Sequence, residues 1–272
     1  MNIKNHKLKT IYYEDELNDE FSSAKIIPRE INENYKYNKN PVWDFCSYLC
    51  QNYLSMPIKI IYSKIKFKLE FIGKEKLNSH KNEGYFIYAN HTQAFADTFI
   101  PSLANFPKRN FLIVNPENIS MKGSGWLVEL LGAIPVPGNK KATKSFLEQI
   151  KKRIEQNYSI TIYPEAHIWP FYTDIRNFKS VSFKYPVKFN KPAYSITNTY
   201  QTYGKNNDKL KIISYIDGPF YSDQNLKPKE AQEKLRNEIY NCMKKRSQNS
   251  NFNYIEYKKK SNSWKRNQSL IY

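Results

Sequence analysis

Tyr85-Phe86-Ile87-Tyr88-Ala89, Asn110-Phe111-Leu112-Ile113-Val114 and Ser159-Ile160-Thr161-Ile162-Tyr163 are short apolar-rich runs with no charged position. A strand wetted on one side alternates apolar and polar residues, so uncharged runs of this length suit strands covered on both faces, as in parallel sheets packed between helices. The segments between them have a helical period. Ala142–Gln156 repeats apolar residues at Phe146, Ile150 and Ile154, and a short apolar helix is expected over Gly125–Leu131, ahead of Ala133-Ile134-Pro135-Val136. This alternation predicts an α/β fold in which a mixed, mostly parallel sheet is flanked by helices. In such folds chemistry gathers where loops leave the carboxyl ends of strands. Two of the runs end there at Asn90-His91 and Pro164-Glu165.

Around these runs the 272 residues divide by texture. Residues 1–40 are polar and patchily charged, and are expected to form an extended or loosely docked arm. Over residues 41–65, Trp43, Phe45, Leu49, Tyr53, Leu54, Ile58 and Ile61 interleave with Asp44, Lys59 and Lys64. This predicts an N-terminal amphipathic helical segment of two short helices, interrupted or kinked at Pro57. Such a mixture suits the edge of a bilayer, where apolar faces sink and lysines snorkel, and it suits a helix packed on the core equally well. Residues 66–220 carry the strand and helix alternation. There Phe67, Leu69 and Phe71 alternate with polar residues up to Gly73, and a hairpin-like turn through Asn78–Gly84 is expected to lead into Tyr85. In residues 221–272, Pro228 suits a helix start, Leu235, Ile239 and Met243 fall on one stripe, and a basic, aromatic tail follows.

The chain is 40% hydrophobic, enough for a packed core, and its formal charge is +18. That charge attracts phosphate-rich or carboxylate-rich partners: anionic lipid, an acidic carrier protein and nucleic acid all fit, and a lysine-rich proteome accounts for it as well. No nucleic-acid-binding motif accompanies the charge, so nucleic acid is not expected as a partner. Cys46, Cys50 and Cys242 have neither disulfide-framework nor zinc-site spacing, and no metal is expected. The first forty residues carry Glu14, Asp15, Glu16, Asp19 and Glu20 and lack the apolar core of a secretory signal. No stretch reaches the roughly 18–20 apolar residues needed to cross a bilayer.

A histidine at a strand end with an acid a few residues later can form a base and its orienter, the carboxylate fixing the imidazole tautomer and stabilising the imidazolium. His91 and Asp97 are such a pair, and a base of this kind can deprotonate a hydroxyl that attacks a thioester. Asn90-His91-Thr92-Gln93-Ala94-Phe95-Ala96-Asp97, Gly132-Ala133-Ile134-Pro135-Val136 and Tyr163-Pro164-Glu165, in that order, resemble the blocks of the glycerolipid acyltransferase family that includes lysophosphatidic-acid acyltransferases. Phe178-Lys179-Ser180-Val181-Ser182-Phe183 resembles the Phe-Lys block that follows, and the likeness spans about residues 70–220. The resemblance implies transfer of a fatty acyl group, with acyl-CoA or acyl-carrier protein as co-substrate and no bound cofactor. The acceptor would be a hydroxyl of 1-acylglycerol-3-phosphate or a related lysolipid. It also implies His91 as general base, Asp97 as its orienter, Glu165 in the acceptor-binding block, and a peripheral protein on the cytoplasmic face of a phospholipid membrane.

Two departures bear on that resemblance. Five residues, Thr92 to Ala96, separate His91 from Asp97 where the family usually has four. The family's Glu-Gly-Thr-Arg stands here as Glu165-Ala166-His167-Ile168, so the arginine that would hold a phosphate bidentately is missing from its position. His167, Arg176, Lys140 and Lys141 are the candidate substitutes, and Asn90 completes the substrate-binding set. The two lysines suit a solvated turn better than a phosphate contact, and His167 equally suits a plain loop position. Trp126, Leu127, Leu130 and Leu131 suit an acyl-chain groove or ordinary packing. A catalytically inactive lipid-binding or membrane-scaffolding relative is the alternative reading.

Overall fold

The computed structural model describes residues 1–21, 29–120 and 125–260; the part of the predicted basic tail beyond Lys260 lies outside the described residues. The elements follow in the order β1 (Lys9–Tyr13), α1 (Pro41–Leu49), α2 (Ser55–Phe67), β2 (Glu70–Ile72), β3 (Tyr85–Ala89), α3 (Ala96–Asn105), β4 (Asn110–Val114), α4 (Gly125–Leu130), β5 (Ala133–Pro135), α5 (Lys140–Glu155), β6 (Ser159–Ile162), α6 (Lys184–Phe189), β7 (Ala193–Tyr203), β8 (Lys209–Phe220), α7 (Pro228–Ser247) and β9 (Ile255–Lys259). Strands β2 to β8 form a seven-stranded sheet in the order β2-β8-β7-β3-β6-β4-β5. β7, β3, β6, β4 and β5 share one direction, and β8 and β2 run against it. The fold is therefore α/β, with a mixed, mostly parallel sheet flanked by helices, as the alternation of runs implies.

The uncharged runs occupy the middle of the sheet because both of their faces are covered. Phe86, Tyr88, Phe111, Ile160 and Ile162 pack with Phe146, Ile150 and Ile154 of α5 and with Leu235, Ile239 and Met243 of α7. On the other face Tyr85, Ile87 and Ala89 pack with Ala96, Ile100 and Ala104 of α3 and Phe67 of α2. Each of the buried Phe, Ile, Leu and Met side chains among these contributes about 1.5–3 kcal/mol relative to exposure. α5 starts where Asn139 caps it, accepting from the Ala142 amide at 2.9 Å, and Pro228 takes the first position of α7. β3 pairs with β6 from Tyr85↔Ser159 to Tyr88↔Ile162, and Ala89 pairs with Ile196 of β7. The carboxyl ends of β3 and β6 thus emerge side by side, with β7 continuing past them.

Three expectations are corrected. The arm is docked rather than loose: the Met1 amino group donates to the Leu210 carbonyl at 2.9 Å, β1 pairs in parallel with β9, and Ile31 and Tyr37 are buried in the core. A few apolar residues in a polar sequence are enough to anchor it. No hairpin joins β2 to β3; β2 lies at the sheet edge beside β8, and Gly73, at φ +83°, turns the chain into a 3₁₀ helix over Lys74–His80. The partner of β2 lies far along the sequence, beyond any local signal. Pro57 does not break the N-terminal segment, because a π-helical turn over Cys50–Leu54 joins α1 to α2 and Pro57 falls in the first turn of α2.

Asp217 of β8 ties three of these elements together. It accepts from Lys76 Nζ at 2.7 Å and, on α7, from Arg246 Nε at 2.7 Å and a terminal nitrogen at 2.8 Å. Burial alone would raise its carboxyl, but the bonds from Arg246 and Lys76 outweigh that and hold it at about 2. A depressed acid contributes stability that is present above its unfolded value and lost as pH falls through the folded one. Asp217→Asn should therefore be less stable than wild type at neutral pH by about 1–2 kcal/mol, discounted for solvent screening. Urea denaturation should show this difference closing as pH is lowered from about 4 towards about 2, where wild type is protonated too.

Candidate active site

β3 delivers Asn90 and His91 to the carboxyl edge of the sheet, and the next six residues fold around one carboxylate. Asp97, in the first turn of α3, is fully buried. Its Oδ2 accepts from His91 Nδ1 at 2.9 Å and from the Thr92 and Gln93 amides at 2.8 Å each. Its Oδ1 accepts from Asn198 Nδ2 at 3.3 Å. The longer spacing is thus accommodated by a turn that wraps the carboxylate, and it leaves Asp97 in contact with the imidazole. Burial pushes the Asp97 carboxyl above its ordinary value, while the bonds from His91, Gln93 and Thr92 pull it back. The tautomer that donates Nδ1–H to this carboxylate has its lone pair on Nε2. Its side chain keeps 16% exposure, so it is reachable from solvent.

β6, the neighbour of β3, delivers the second half of the cluster. The Tyr163 ring stacks on His91 at 4.4 Å, and its hydroxyl donates to the Asp97 carbonyl. Burial, and then the charge of Asp97, raise the Tyr163 phenol well above its ordinary value, so it remains a donor. Glu165 is buried, and its Oε2 accepts from the His91 amide at 2.9 Å and from an Arg176 terminal nitrogen at 3.3 Å. Oε1 accepts from the Arg176 amide at 2.9 Å. Burial raises this carboxyl as well, against the opposing charge of Arg176 and the two amides.

The remaining predicted residues divide by position. Asn90 is buried, with both ends of its amide on the Asn198 backbone at 3.0 and 2.8 Å, so it locks β3 to β7. Arg176 is fully buried; its guanidinium contacts Glu165, the His167 carbonyl, the Glu16 carbonyl and the Trp169 ring. It faces inward, holding the Glu165 loop closed. His167 is half-buried, with Nδ1 3.3 Å from Glu20. Lys140 and Lys141 stand exposed in the first turn of α5, and Lys141 lies 3.8 Å from Glu33. α5 follows β5, which two strands separate from β3, and no described contact joins either lysine to His91. Trp126 and Leu127 are exposed on α4, while Val128 packs on the core. Among the described residues no three His, Cys, Asp or Glu side chains converge as a metal site would require.

A sequence model of the acyltransferase family matches residues 68–198, which span both halves of this cluster. Over those residues the chain is similar to the acyltransferase family. No curated protein sequence matches the chain. Among solved structures it is similar to the 1-acyl-sn-glycerophosphate (LPA) acyltransferase PlsC of Thermotoga maritima, with 18% identity, 75% of this chain and 86% of that one covered, and a TM-score of 0.48.

Two residues that support the cluster, Asn198 and Tyr200, lie outside the motifs, and a third, Ala166, lies within one. Asn198 reaches Asp97 from β7, two positions past the residue that pairs with the end of β3. Tyr200 donates to Thr92 Oγ1 at 2.9 Å and accepts from Gln93 Nε2 at 3.0 Å, which fixes the wrapped loop. Ala166 adopts φ +64°, the left-handed region that strains any side chain. It stands where the family places glycine, which is the signal in the sequence that locates it. Ala166→Gly relieves that strain while adding unfolded-chain entropy. It should stabilise the domain by about 0.5–1 kcal/mol, measured as an increased urea midpoint at unchanged slope.

Proposed function

We propose that the protein transfers a fatty acyl group from acyl-CoA or acyl-carrier protein to a hydroxyl of a glycerol-based lysolipid, at the cytoplasmic face of a membrane to which it binds peripherally. The observation that carries this reading is the buried Asp97 carboxylate 2.9 Å from His91 Nδ1, inside the region similar to the acyltransferase family. Nε2 of His91 takes the proton of the acceptor hydroxyl as its oxygen attacks the thioester carbonyl. The new C–O bond gives a tetrahedral oxyanion stabilised by backbone amides, and its collapse breaks the C–S bond. The thiol leaves with the proton returned by the imidazolium, whose positive charge Asp97 has balanced. Glu165 holds the His91 backbone and the acceptor loop in place.

The N-terminal helices support the membrane part of the proposal. Their polar residues Ser47, Gln51, Lys59 and Ser63 are buried, whereas Phe45, Leu54, Ile58, Ile61 and Ile65 are exposed, Ile65 at 79%. The apolar face therefore points away from the protein, so packing on the core does not account for it. Tyr62 of α2 meets the rings of Phe95 and Phe99, and Phe95 belongs to the loop between His91 and Asp97. An apolar surface continuous with the catalytic loop suits an acceptor presented from a bilayer. No helix among the described residues is long and apolar enough to cross a membrane.

In an assay with labelled acyl-CoA or acyl-carrier protein and a panel of lysolipids, His91→Ala should lower transfer by about 10³-fold without loss of fold. Absence of transfer by a folded, vesicle-bound wild type would instead support the non-catalytic lipid-binding reading. In co-sedimentation with anionic vesicles, the Ile61→Glu/Ile65→Glu double variant should keep its circular dichroism and lose most of its binding. Binding equal to wild type would remove the helices from the membrane contact.

A further inference from the structure

The acceptor block is covered by the chain's own carboxylates. Residues 16–21, entering from β1, lie against the loop that follows Glu165. Both oxygens of Glu20 accept from the Ile168 amide at 3.2 Å, and Oε2 lies 3.3 Å from His167 Nδ1. The Glu16 carbonyl accepts from Arg176 at 3.4 Å, its carboxylate accepts from the Asn177 amide at 3.2 Å, and the Asp19 carbonyl accepts from Trp169 Nε1 at 2.8 Å. Trp169 is packed between Tyr13 of β1 and Tyr257 of β9, at 4.7 and 4.9 Å, which fixes the approach of the segment.

We propose that Glu20 sets the acceptor class: it holds the block's donors with an internal anion, excludes a phosphate monoester, and leaves the site to a lysolipid hydroxyl whose head group is uncharged or zwitterionic. This rests on the reading that the loop after Glu165 faces the acceptor. A phosphate dianion needs several N–H donors or a guanidinium fork. Here the Ile168 amide and His167 Nδ1 already face a carboxylate, and the guanidinium of Arg176 is buried on Glu165 and two backbone carbonyls. A phosphate approaching His167 would meet the Glu20 charge at contact range, in a half-buried setting where like charges are poorly screened. The basic surface elsewhere, with a net charge of +18, draws anionic lipids to the protein without supplying donors at this loop. A neutral or zwitterionic head needs no dianion pocket and leaves the Glu20 bonds intact.

The test uses the full chain, one acyl-CoA, and three acceptors: 1-acylglycerol-3-phosphate, a monoacylglycerol and a zwitterionic lysophospholipid. For wild type, kcat/KM with the phosphomonoester should be at least about tenfold below that with the better of the other two, and Glu20→Gln, which keeps an accepting oxygen, should raise that ratio about tenfold. Wild type favouring the phosphomonoester, or a ratio unchanged in Glu20→Gln, overturns the proposal. Calorimetry with glycerol 3-phosphate reads the same site without turnover. Wild type should not bind it at millimolar concentration, and Glu20→Gln should. Wild-type binding that His167→Ala abolishes, or no gain in Glu20→Gln, overturns the assignment. Absence of acylation with every acceptor, alongside a gain of glycerol 3-phosphate binding in Glu20→Gln, would sink the acyl-transfer reading and leave the role of Glu20 standing.

Discussion

Taking the Asp97 carboxylate out of water is costly, and much of the surrounding geometry follows from meeting that cost. An unpaired buried carboxylate would take up a proton and lose its use as an orienter. Four donors oppose this, and they come from three separate parts of the chain. His91 comes from the end of β3, the Thr92 and Gln93 amides from the loop wrapped over the carboxylate, and Asn198 from β7. The loop holds its shape because the Tyr200 hydroxyl bridges Thr92 and Gln93. One charge thereby fixes the histidine tautomer, the loop conformation and the alignment of two strands.

Glu165 repeats the device on the neighbouring strand and links the two halves. By accepting the His91 amide it joins the loop after β6 to the end of β3, and by accepting the Arg176 amide and side chain it folds that loop back on itself. The parallel pairing of β3 with β6 is what makes this possible, since two parallel neighbours present their carboxyl ends at the same edge. Replacing either carboxylate by an apolar residue would leave several buried amides without acceptors, so positioning and stability are coupled here. For His91 the two are separable: its side chain contributes one of the donors to Asp97, and its backbone, not its ring, reaches Glu165.

What was legible in the sequence is what local period and local chemistry determine. The runs at Tyr85, Asn110 and Ser159 became β3, β4 and β6 because both faces of each are covered, and the spacings of Phe146, Ile150 and Ile154 and of Leu235, Ile239 and Met243 marked the buried stripes of α5 and α7. His91, Asp97 and Glu165 stood out by position at strand ends and by order. The features that escaped depend on distant partners. β2 pairs with a strand some 140 positions later, and Asn198 sits inside a strand with no motif around it. Arg176 carries the right charge for an anion, but its direction is decided by Glu165 and by carbonyls that no pattern ties to it. The arm's docking rests on a few apolar residues, Ile3, Ile31 and Tyr37 among them, scattered through a polar stretch.

The N-terminal helices show why composition alone left their role open. Interleaved aromatic, aliphatic and charged residues fit either orientation of an amphipathic helix, and the choice is made by the partner on the domain. That partner is polar: Arg109, nearly buried just ahead of β4, donates to Ser47 at 2.7 Å and to Gln51 at 3.4 Å, and Arg153 of α5 donates to Asp44 at 2.7 Å. A buried guanidinium requires acceptors, so the face of α1 that supplies them must turn inward, and the apolar residues are forced outward by the same rotation. In water that outcome leaves a large apolar surface exposed, which a monomer rarely maintains without use. The buried arginines therefore do at the domain boundary what Asp97 does at the loop after β3: a charge that must be satisfied sets the direction of a whole segment, and here the direction is the one the proposed bilayer contact needs.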